Sequence, residues 1–382
     1  MFSPIVKPGG PKIIVNCGSG GVGKTTLSAA MGLAGALAGK KTIVLTIDPA
    51  RRLADALGLS ELVTDVQQVV LDNLPTLPET SAGALYAMML EPKRTFDELV
   101  ARYAAPGVSQ KIINNRYYQH ISNNMAGSHE YMAMEKLYEI YDQGEYDLIV
   151  LDTPPTRRAL DFLEAPDRLL NVLGHSFFWK LVKPYLKAGK WGFRMFNIMA
   201  SPVLRGVGQV IGKQALTDLI DFFQVWDDVL YQGFKRRAHR VKTLLGSDEA
   251  MFFAIATPQK LPMREAEFFR EKLKANQIPF GGFIINRVHE FSDEPTVSSL
   301  TPSAAEVCRG ATIESGLMEK LLSIHRDLRR QSESDAASIR GLKSRVAADK
   351  AEVVLIPVTE EEIVDLGGVF DLVAYLRNQG RG

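Results

Sequence analysis

The chain has 382 residues, of which 46% are hydrophobic and 23% are charged, and its formal net charge is +1. This is the composition of a globular protein with ample apolar material for a core, and the balanced charge gives no overall attraction to nucleic acid. The only cysteines, Cys17 and Cys308, exclude a disulfide framework and a metal–thiolate cluster, and no histidine pair has ligand spacing, so we predict no structural metal.

Short runs rich in Val and Ile predict seven buried strands along the chain. They lie at residues 12–17, 42–47, 85–90, 147–152, 251–257, 281–286 and 352–357. Their nearly continuous hydrophobicity is typical of strands covered on both faces, with helical crossovers between them. We therefore predict an α/β fold with a doubly wound, mostly parallel sheet, and we expect functional residues at the carboxyl ends of its strands.

The segment after the first predicted strand matches the phosphate-binding pattern GxxxxGK[ST] at every required position. It reads Gly-Ser-Gly-Gly-Val-Gly-Lys-Thr over residues 18–25 and leads into a helix-prone run. Glycines let successive backbone N–H groups face phosphate oxygens, Lys24 would reach the β- and γ-phosphates, and Thr25 would offer its hydroxyl to Mg²⁺. The segment predicts a nucleoside triphosphate site, and its predicted binding residues are Gly20, Gly21, Val22, Gly23, Lys24, Thr25 and Thr26.

Two aspartates end predicted strands in positions that suit phosphoryl transfer. Asp48 would orient or deprotonate the water that faces the γ-phosphate, and Asp152 would hold a Mg²⁺-bound water. The predicted catalytic residues are Asp48 and Lys24, and the predicted metal ligands are Thr25, Asp48 and Asp152. For either aspartate the alternative is a helix N-cap or a turn, because both lie close to prolines.

Two helix-prone intervals are too long to be simple crossovers, and we assign both to one helical subdomain. It comprises residues 92–143 and 161–246, and the nucleotide-binding core comprises residues 1–91, 144–160 and 247–382. Within the last part of the core, residues 302–350 predict a long charged helical segment before the final strand.

Four motifs of this chain belong together: GSGGVGKTT at 18–26, IDPA at 47–50, DTPPT at 152–156, and Asn286-Arg287 after an apolar run. Together they resemble the ArsA-type anion-transporting ATPase family, which includes the arsenite-pump ATPase and the guided-entry ATPase that targets tail-anchored membrane proteins. The resemblance implies an ATPase that uses ATP with Mg²⁺. It implies that Asp48 is the water-activating aspartate of the switch I loop and that Asp152 belongs to the switch II loop. It also places Asn286 and Arg287 in the cofactor site, where Asn286 would recognise the adenine base. Pro357 resembles the family's adenine-packing loop, and the alternative is that it only terminates a strand.

The chain departs from the family at the signature lysine of the phosphate-binding loop, where it has Ser19. A serine cannot supply positive charge in a dry site, so hydrolysis is slow or another cation replaces the lysine. Arg51, Arg52, Arg157 and Arg158 are the candidates, and the alternative is that they only solvate helix starts or pair with acids. The chain also lacks the zinc-binding CxxC of the eukaryotic targeting factor. It has no cysteine cluster that could bind arsenite, so we do not expect arsenite transport.

Residues 168–217 contain no Asp or Glu, and lysines and arginines alternate there with aromatic residues. Such a segment suits a hydrophobic client or dimer surface, a contact with anionic lipid, or a subdomain core with a basic rim.

The leading hypothesis is an ATP-hydrolysing switch whose helical subdomain handles a hydrophobic client or a membrane transport or targeting partner. The alternative is a weakly hydrolysing, nucleotide-gated interaction module that acts with a second ATPase chain. A partition or division-site ATPase is disfavoured by the large helical insertion.

We expect a homodimer or a heterodimer with a related ATPase, and no nucleic-acid partner. With no apolar leader or membrane-spanning run, we expect a cytoplasmic protein that could lie against a membrane.

Overall fold

The structure is a computed structural model of the chain. The described residues are 9–48, 51–61, 64–72, 74, 83–104, 107, 109–115, 118–119, 122, 128–153, 232–290, 315–347, 351–359 and 362–379.

An eight-stranded sheet forms the centre of the described fold, in the order β3-β4-β2-β5-β1-β6-β7-β8. Every neighbouring pair is parallel except β3 and β4. The strands are β1 (Ile13–Gly18), β2 (Thr42–Thr46), β3 (Gln67–Gln68), β4 (Leu85–Met89), β5 (Leu148–Asp152), β6 (Ala250–Ala256), β7 (Phe280–Val288) and β8 (Val353–Pro357). The predicted mostly parallel α/β sheet is confirmed, and each of the seven predicted strands is present.

Helices cover both faces of this sheet. The described helices are α1 (Lys24–Leu37), α2 (Arg52–Ala56), α3 (Pro92–Tyr103), α4 (Ser109–Ile113), α5 (Ser128–Gln143), α6 (Gln232–Leu245), α7 (Lys260–Ala275), α8 (Ser315–Val346) and α9 (Leu366–Gln379). Side chains that alternate along β1 enter two different cores: Ile13 and Val15 pack with residues of α5, α6, α7 and α8, while Ile14 packs with α1, α2 and α9. This alternation is the period of two that a strand buried on both faces requires.

Helix α1 lies close against the sheet, and a glycine makes this approach possible. A Cβ on Gly32 would come within 2.3 Å of Val44 Cγ2 in β2. The close contact fixes the start of α1 relative to the ends of the central strands. The carboxyl ends of β1, β2 and β5 are thereby held beside the loop that precedes α1.

The described part of residues 92–143 is helical, and α3 and α6 both contact α5. A buried ion pair between Glu135 of α5 and Arg237 of α6 joins two of these helices. The division into a core and a helical subdomain stays a prediction, and most of its second part, residues 161–231, lies outside the described residues. None of the described helices is both long enough and apolar enough to cross a lipid bilayer.

Candidate nucleotide site

The glycine-rich loop between β1 and α1 adopts the backbone conformation that a phosphate cradle needs. Gly21 and Gly23 have φ angles of 77° and 91°, in the left-handed region that other residues rarely adopt. A Cβ on Gly23 would also lie 2.3 Å from Asn286 Nδ2. Glycine at position 23 is therefore required both by its backbone conformation and by the space available.

Lys24 opens α1 and is almost fully buried, with 6% of its surface exposed. Its Nζ donates hydrogen bonds to the carbonyl oxygens of Gly18 at 3.0 Å and Ser19 at 2.8 Å. Burial lowers the pKa of Lys24, and the nearby Asp152 carboxyl opposes that shift. The ammonium group is thus folded back over its own loop, where phosphate oxygens would lie.

Asp152 ends β5 and lies beside the first residues of α1. Its Oδ2 accepts hydrogen bonds from Thr25 Oγ1 at 2.8 Å and from Thr46 Oγ1 at 3.1 Å. Burial raises the pKa of Asp152 from 3.8 to about 6, although both threonine hydroxyls and Lys24 act in the opposite direction. Its other oxygen, Oδ1, is buried and has no hydrogen-bond partner among the described residues.

A buried carboxylate oxygen without a partner, next to a threonine hydroxyl, fits a divalent cation or a water bound to one. Mg²⁺ prefers oxygen ligands and keeps several waters, and the donor atoms of Thr25 and Asp152 are all oxygens. The residues present therefore fit the predicted metal.

Asp48 follows β2 at the edge of the same cleft. Its backbone N–H donates to Thr46 Oγ1 at 3.2 Å, so the hydroxyl of Thr46 contacts both aspartates. Arg52 Nη1 lies 3.7 Å from Asp48 Oδ2, and the Asp48 side chain is 21% exposed. The Asp48 carboxylate is accessible from the cleft, which a residue that orients water requires.

These groups line one cleft of about 840 Å³. The volume lies within the range of small-molecule sites. Its walls include Gly20, Gly21, Gly23, Lys24, Thr25, Thr26, Asp48, Arg52, Thr153, Arg287, Glu362 and Asp365.

The end of β7 contacts the glycine-rich loop through two consecutive side chains. Asn286 Nδ2 donates to the carbonyl of Val22 at 2.9 Å, and Arg287 Nη1 donates to the carbonyl of Gly21 at 3.3 Å. Arg287 has a φ of 58°, which is strained for a residue with a Cβ. Strained backbone of this kind clusters at functional sites. No carboxylate of the described residues forms an ion pair with Arg287.

A smaller cleft of about 310 Å³ adjoins the first one. Asn286, Pro357 and Thr26 line it together with the apolar side chains of Ile363 and Leu372. An amide beside apolar walls suits a flat heterocyclic base, because the amide can pair with the ring edge while the walls cover its faces.

Ser19 occupies the second position of the loop and contacts a residue that the sequence did not point to. Its Oγ donates a hydrogen bond to Glu265 Oε2 in α7. The two residues are 246 positions apart, so no local pattern could have connected them. Thr46 was also missed, because a threonine inside a buried apolar strand carries no separate signal.

The structure brings the predicted site residues to these two adjoining clefts or to the loop between them, except for Asp152, which is buried and contacts Thr25 in the wall of the larger cleft. The roles assigned to these residues stay predictions. Among the proposed substitute cations, Arg52 lines the larger cleft, whereas Arg51 donates to the carbonyl of Ser60. Arg157 and Arg158 lie outside the described residues.

Comparison with known proteins gives a consistent result. A sequence profile of the family described as anion-transporting ATPase matches residues 11–301. A protein of Aquifex aeolicus that carries the name of an arsenical pump-driving ATPase is 27% identical over 277 residues, which span 71% of this chain and 78% of that protein. ATPase ASNA1 homolog 1 of Paramecium tetraurelia is 25% identical over 71% of this chain and 73% of its own length. ATPase GET3A of Arabidopsis thaliana is 24% identical over 74% of this chain and 68% of its own length.

Proposed function

We propose, on the premise that this chain belongs to the anion-transporting ATPase family and hydrolyses ATP, that nucleotide state switches the loops after β2 and β5 between two arrangements. The observation that carries this proposal is the shared contact of Thr46 with Asp48 and Asp152. A change at the phosphates that moves one aspartate would reach the other through this hydroxyl. Switches of this kind order their loops when the γ-phosphate is present and release them after hydrolysis.

The triphosphate would lie in the larger cleft, with the N–H groups of the glycine-rich loop and the start of α1 facing it. Lys24 would turn from the carbonyls of Gly18 and Ser19 toward the β- and γ-phosphates, because an ammonium binds a phosphate oxygen more strongly than a neutral carbonyl. The base would enter the smaller cleft, where Asn286 and Pro357 are placed to contact it.

Thr25 and Asp152 would hold Mg²⁺, directly or through its waters. When bound, this ion neutralises charge on the phosphates. Asp152 is suited to the role because its free oxygen Oδ1 is buried and its other oxygen is fixed by two threonines. Asp48 would orient the attacking water and accept its proton.

Arg287 is the described cation best placed to replace the missing lysine. Arg52 also lines the cleft, but its guanidinium lies near Asp48 and is partly neutralised. Arg287 contacts a carbonyl of the phosphate-binding loop and has no acidic partner among the described residues. Its side chain would reach the phosphates by exchanging the Gly21 carbonyl for a charged oxygen, which is the stronger acceptor.

The switch would act on a partner that is a hydrophobic client, a membrane protein or a lipid surface. The helical subdomain is the proposed site of this contact, and a cytoplasmic location at the membrane periphery is consistent with it. Arsenical compounds appear in the name of the Aquifex aeolicus relative, but they are a poor fit because this chain has only two cysteines, and Cys17 is buried.

A second candidate function is favoured by the contact between Ser19 and Glu265. This contact pairs the side chain at the second position of the loop with a carboxylate, and that side chain supplies no positive charge of its own. A related chain with a lysine there could supply positive charge across a heterodimer, and this chain alone would then bind nucleotide but hydrolyse it slowly.

Turnover by the purified chain separates these two functions. We would measure phosphate release with Mg²⁺ and ATP, and nucleotide affinity by calorimetry, with Lys24→Ala as the inactive control. Multiple turnovers that Lys24→Ala abolishes would support the switch. Tight binding with negligible turnover would support the module that needs a second chain. No detectable binding of ATP or ADP would refute both.

A further inference from the structure

Three buried polar residues form a row across the centre of the sheet. Thr46 of β2, Asp152 of β5 and Asn16 of β1 are register partners on adjacent parallel strands, and each is at most 1% exposed. Adjacent strands lie about 4.8 Å apart, and side chains alternate between the two faces along each strand. Ile14 and Val150, two residues earlier on β1 and β5, belong to the core under α1. The polar row therefore faces α1 as well.

Asp152 uses only one of its two carboxylate oxygens. Thr25 and Thr46 both donate to Oδ2, whereas Oδ1 is buried and has no hydrogen-bond partner in the part of the chain that the structure describes. Asn16 flanks Asp152 on the side opposite Thr46, and its Oδ1 is likewise buried without a partner among the described residues. Buried polar atoms of folded proteins are nearly always hydrogen-bonded, so two such oxygens on neighbouring strands indicate a bound water or ion.

The amide of Asn16 is held so that its oxygen is the free end. Nδ2 donates to Ser28 Oγ at 2.8 Å and lies 3.3 Å from Met31 Sδ, and both of these residues belong to α1. A turned amide would place its oxygen against the Met31 sulfur and lose that weak hydrogen bond. The hydroxyl of Thr153 is also engaged, because its Oγ1 donates to the backbone carbonyl of Asn16 at 2.7 Å. The missing donor is therefore expected to come from solvent.

We propose that Asn16 Oδ1 and Asp152 Oδ1 together accept both hydrogens of one water, and that this water is a ligand of the divalent cation held at Thr25 and Asp152. Mg²⁺ keeps several of its waters when it binds to proteins. A water whose lone pair lies on the cation presents two polarised hydrogens, and two neighbouring acceptor oxygens suit it. Asn16 is then a positioning residue that acts on the cation through this water. The inference rests on the cation position given under the proposed function.

This role gives Asn16 opposite effects on stability and on metal affinity. Without the cation, its Oδ1 is a buried acceptor in an otherwise apolar strand, and such an atom lowers stability. With the cation, the same oxygen holds a metal-bound water, and partners of this kind change metal affinity about 10- to 100-fold. A residue that only packed β1 against α1 would change metal affinity and stability in the same direction.

The test is Asn16→Leu, which preserves the approximate shape of the side chain and removes both polar ends. Calorimetric titration of Mg²⁺ into the full chain with ADP should give an affinity about 10- to 100-fold below that of wild type. The affinity for ADP in chelator should stay at the wild-type value, and the thermal midpoint in chelator should be unchanged or higher. Thr42→Val is the matched control. It also replaces a buried polar side chain, at the opposite end of β2, and should leave the affinity for Mg²⁺ unchanged.

Asn16→Asp keeps an acceptor oxygen at this position and adds a negative charge. It should bind Mg²⁺ at least as tightly as wild type, while its midpoint in chelator falls because two buried carboxylates repel each other. The role of Asn16 would be overturned if Asn16→Leu had the wild-type affinity for Mg²⁺ or a lower midpoint in chelator, or if Asn16→Asp bound Mg²⁺ as weakly as Asn16→Leu. A wild type whose affinity for ADP did not depend on Mg²⁺ would instead overturn the cation position itself, and this inference with it.

Discussion

Arg287 offers a direct test of the proposed phosphate site, because its backbone conformation separates stability from function. A residue with a Cβ pays about 1 to 2 kcal/mol in the left-handed region, whereas glycine does not. Glycine also makes the unfolded chain more flexible, which costs about 0.4 to 1 kcal/mol. Arg287→Gly should therefore be more stable than Arg287→Ala by up to about 1.6 kcal/mol, although both variants lose the guanidinium that contacts Gly21.

The activity of the two variants should fall together. A hydrogen bond to a charged group contributes about 1.5 to 3 kcal/mol, so kcat/KM for ATP should fall roughly 10- to 100-fold in both. Arg287→Lys keeps a positive charge and should recover part of the loss. Steady-state phosphate release and thermal unfolding of the three variants are the measurements. If Arg287→Gly turned over ATP at the wild-type rate, the guanidinium would have no part in the reaction and the assignment would be wrong.

Two further predictions follow from buried charges. Asp152→Asn should abolish Mg²⁺-dependent turnover. In chelator at pH 7.5 it should also raise the thermal midpoint of unfolding, because burial raises the pKa of Asp152 to about 6 and the wild-type protein must bury the charged carboxylate at that pH. A lower midpoint would contradict this reasoning. Glu135→Ala should lower the free energy of unfolding by about 3 to 5 kcal/mol, since it breaks a buried ion pair and leaves the Arg237 guanidinium buried without this carboxylate. Glu333→Ala, which removes an exposed ion pair with Arg329, is the matched control and should change the unfolding free energy by less than about 0.5 kcal/mol in chemical denaturation.

The sheet was predictable because its strands are buried on both faces. In β1, residues 13–17 are all hydrophobic apart from Asn16, and such a run identifies a strand even without alternation. Strand β3 was not predicted, because it consists of two glutamines that pair antiparallel with β4 and carry no apolar signal. The predicted long helical segment at 302–350 corresponds to α8, and residues 302–314 lie outside the described part of the chain.

The site was predictable only where its residues follow strands in sequence. Asp48 and Asp152 are recognisable because each comes at the end of an apolar run. Glu265 is not, because it is one of several acidic residues on α7 and gains significance only from its contact with Ser19. The positive φ of Arg287 is likewise invisible in sequence, since arginine has no preference for that conformation.

The end of β7 connects the phosphate-binding loop with helix α8. Arg287 contacts Gly21 in the phosphate-binding loop, and His289, two residues later, contacts Asp335 in α8. A shift of the loop that moved β7 would therefore also move α8. Binding free energies are reciprocal, so any factor by which nucleotide changes the affinity of α8 for a partner must equal the factor by which that partner changes nucleotide affinity. A helix anchored at this strand end is a position from which a partner could act on the nucleotide without touching it.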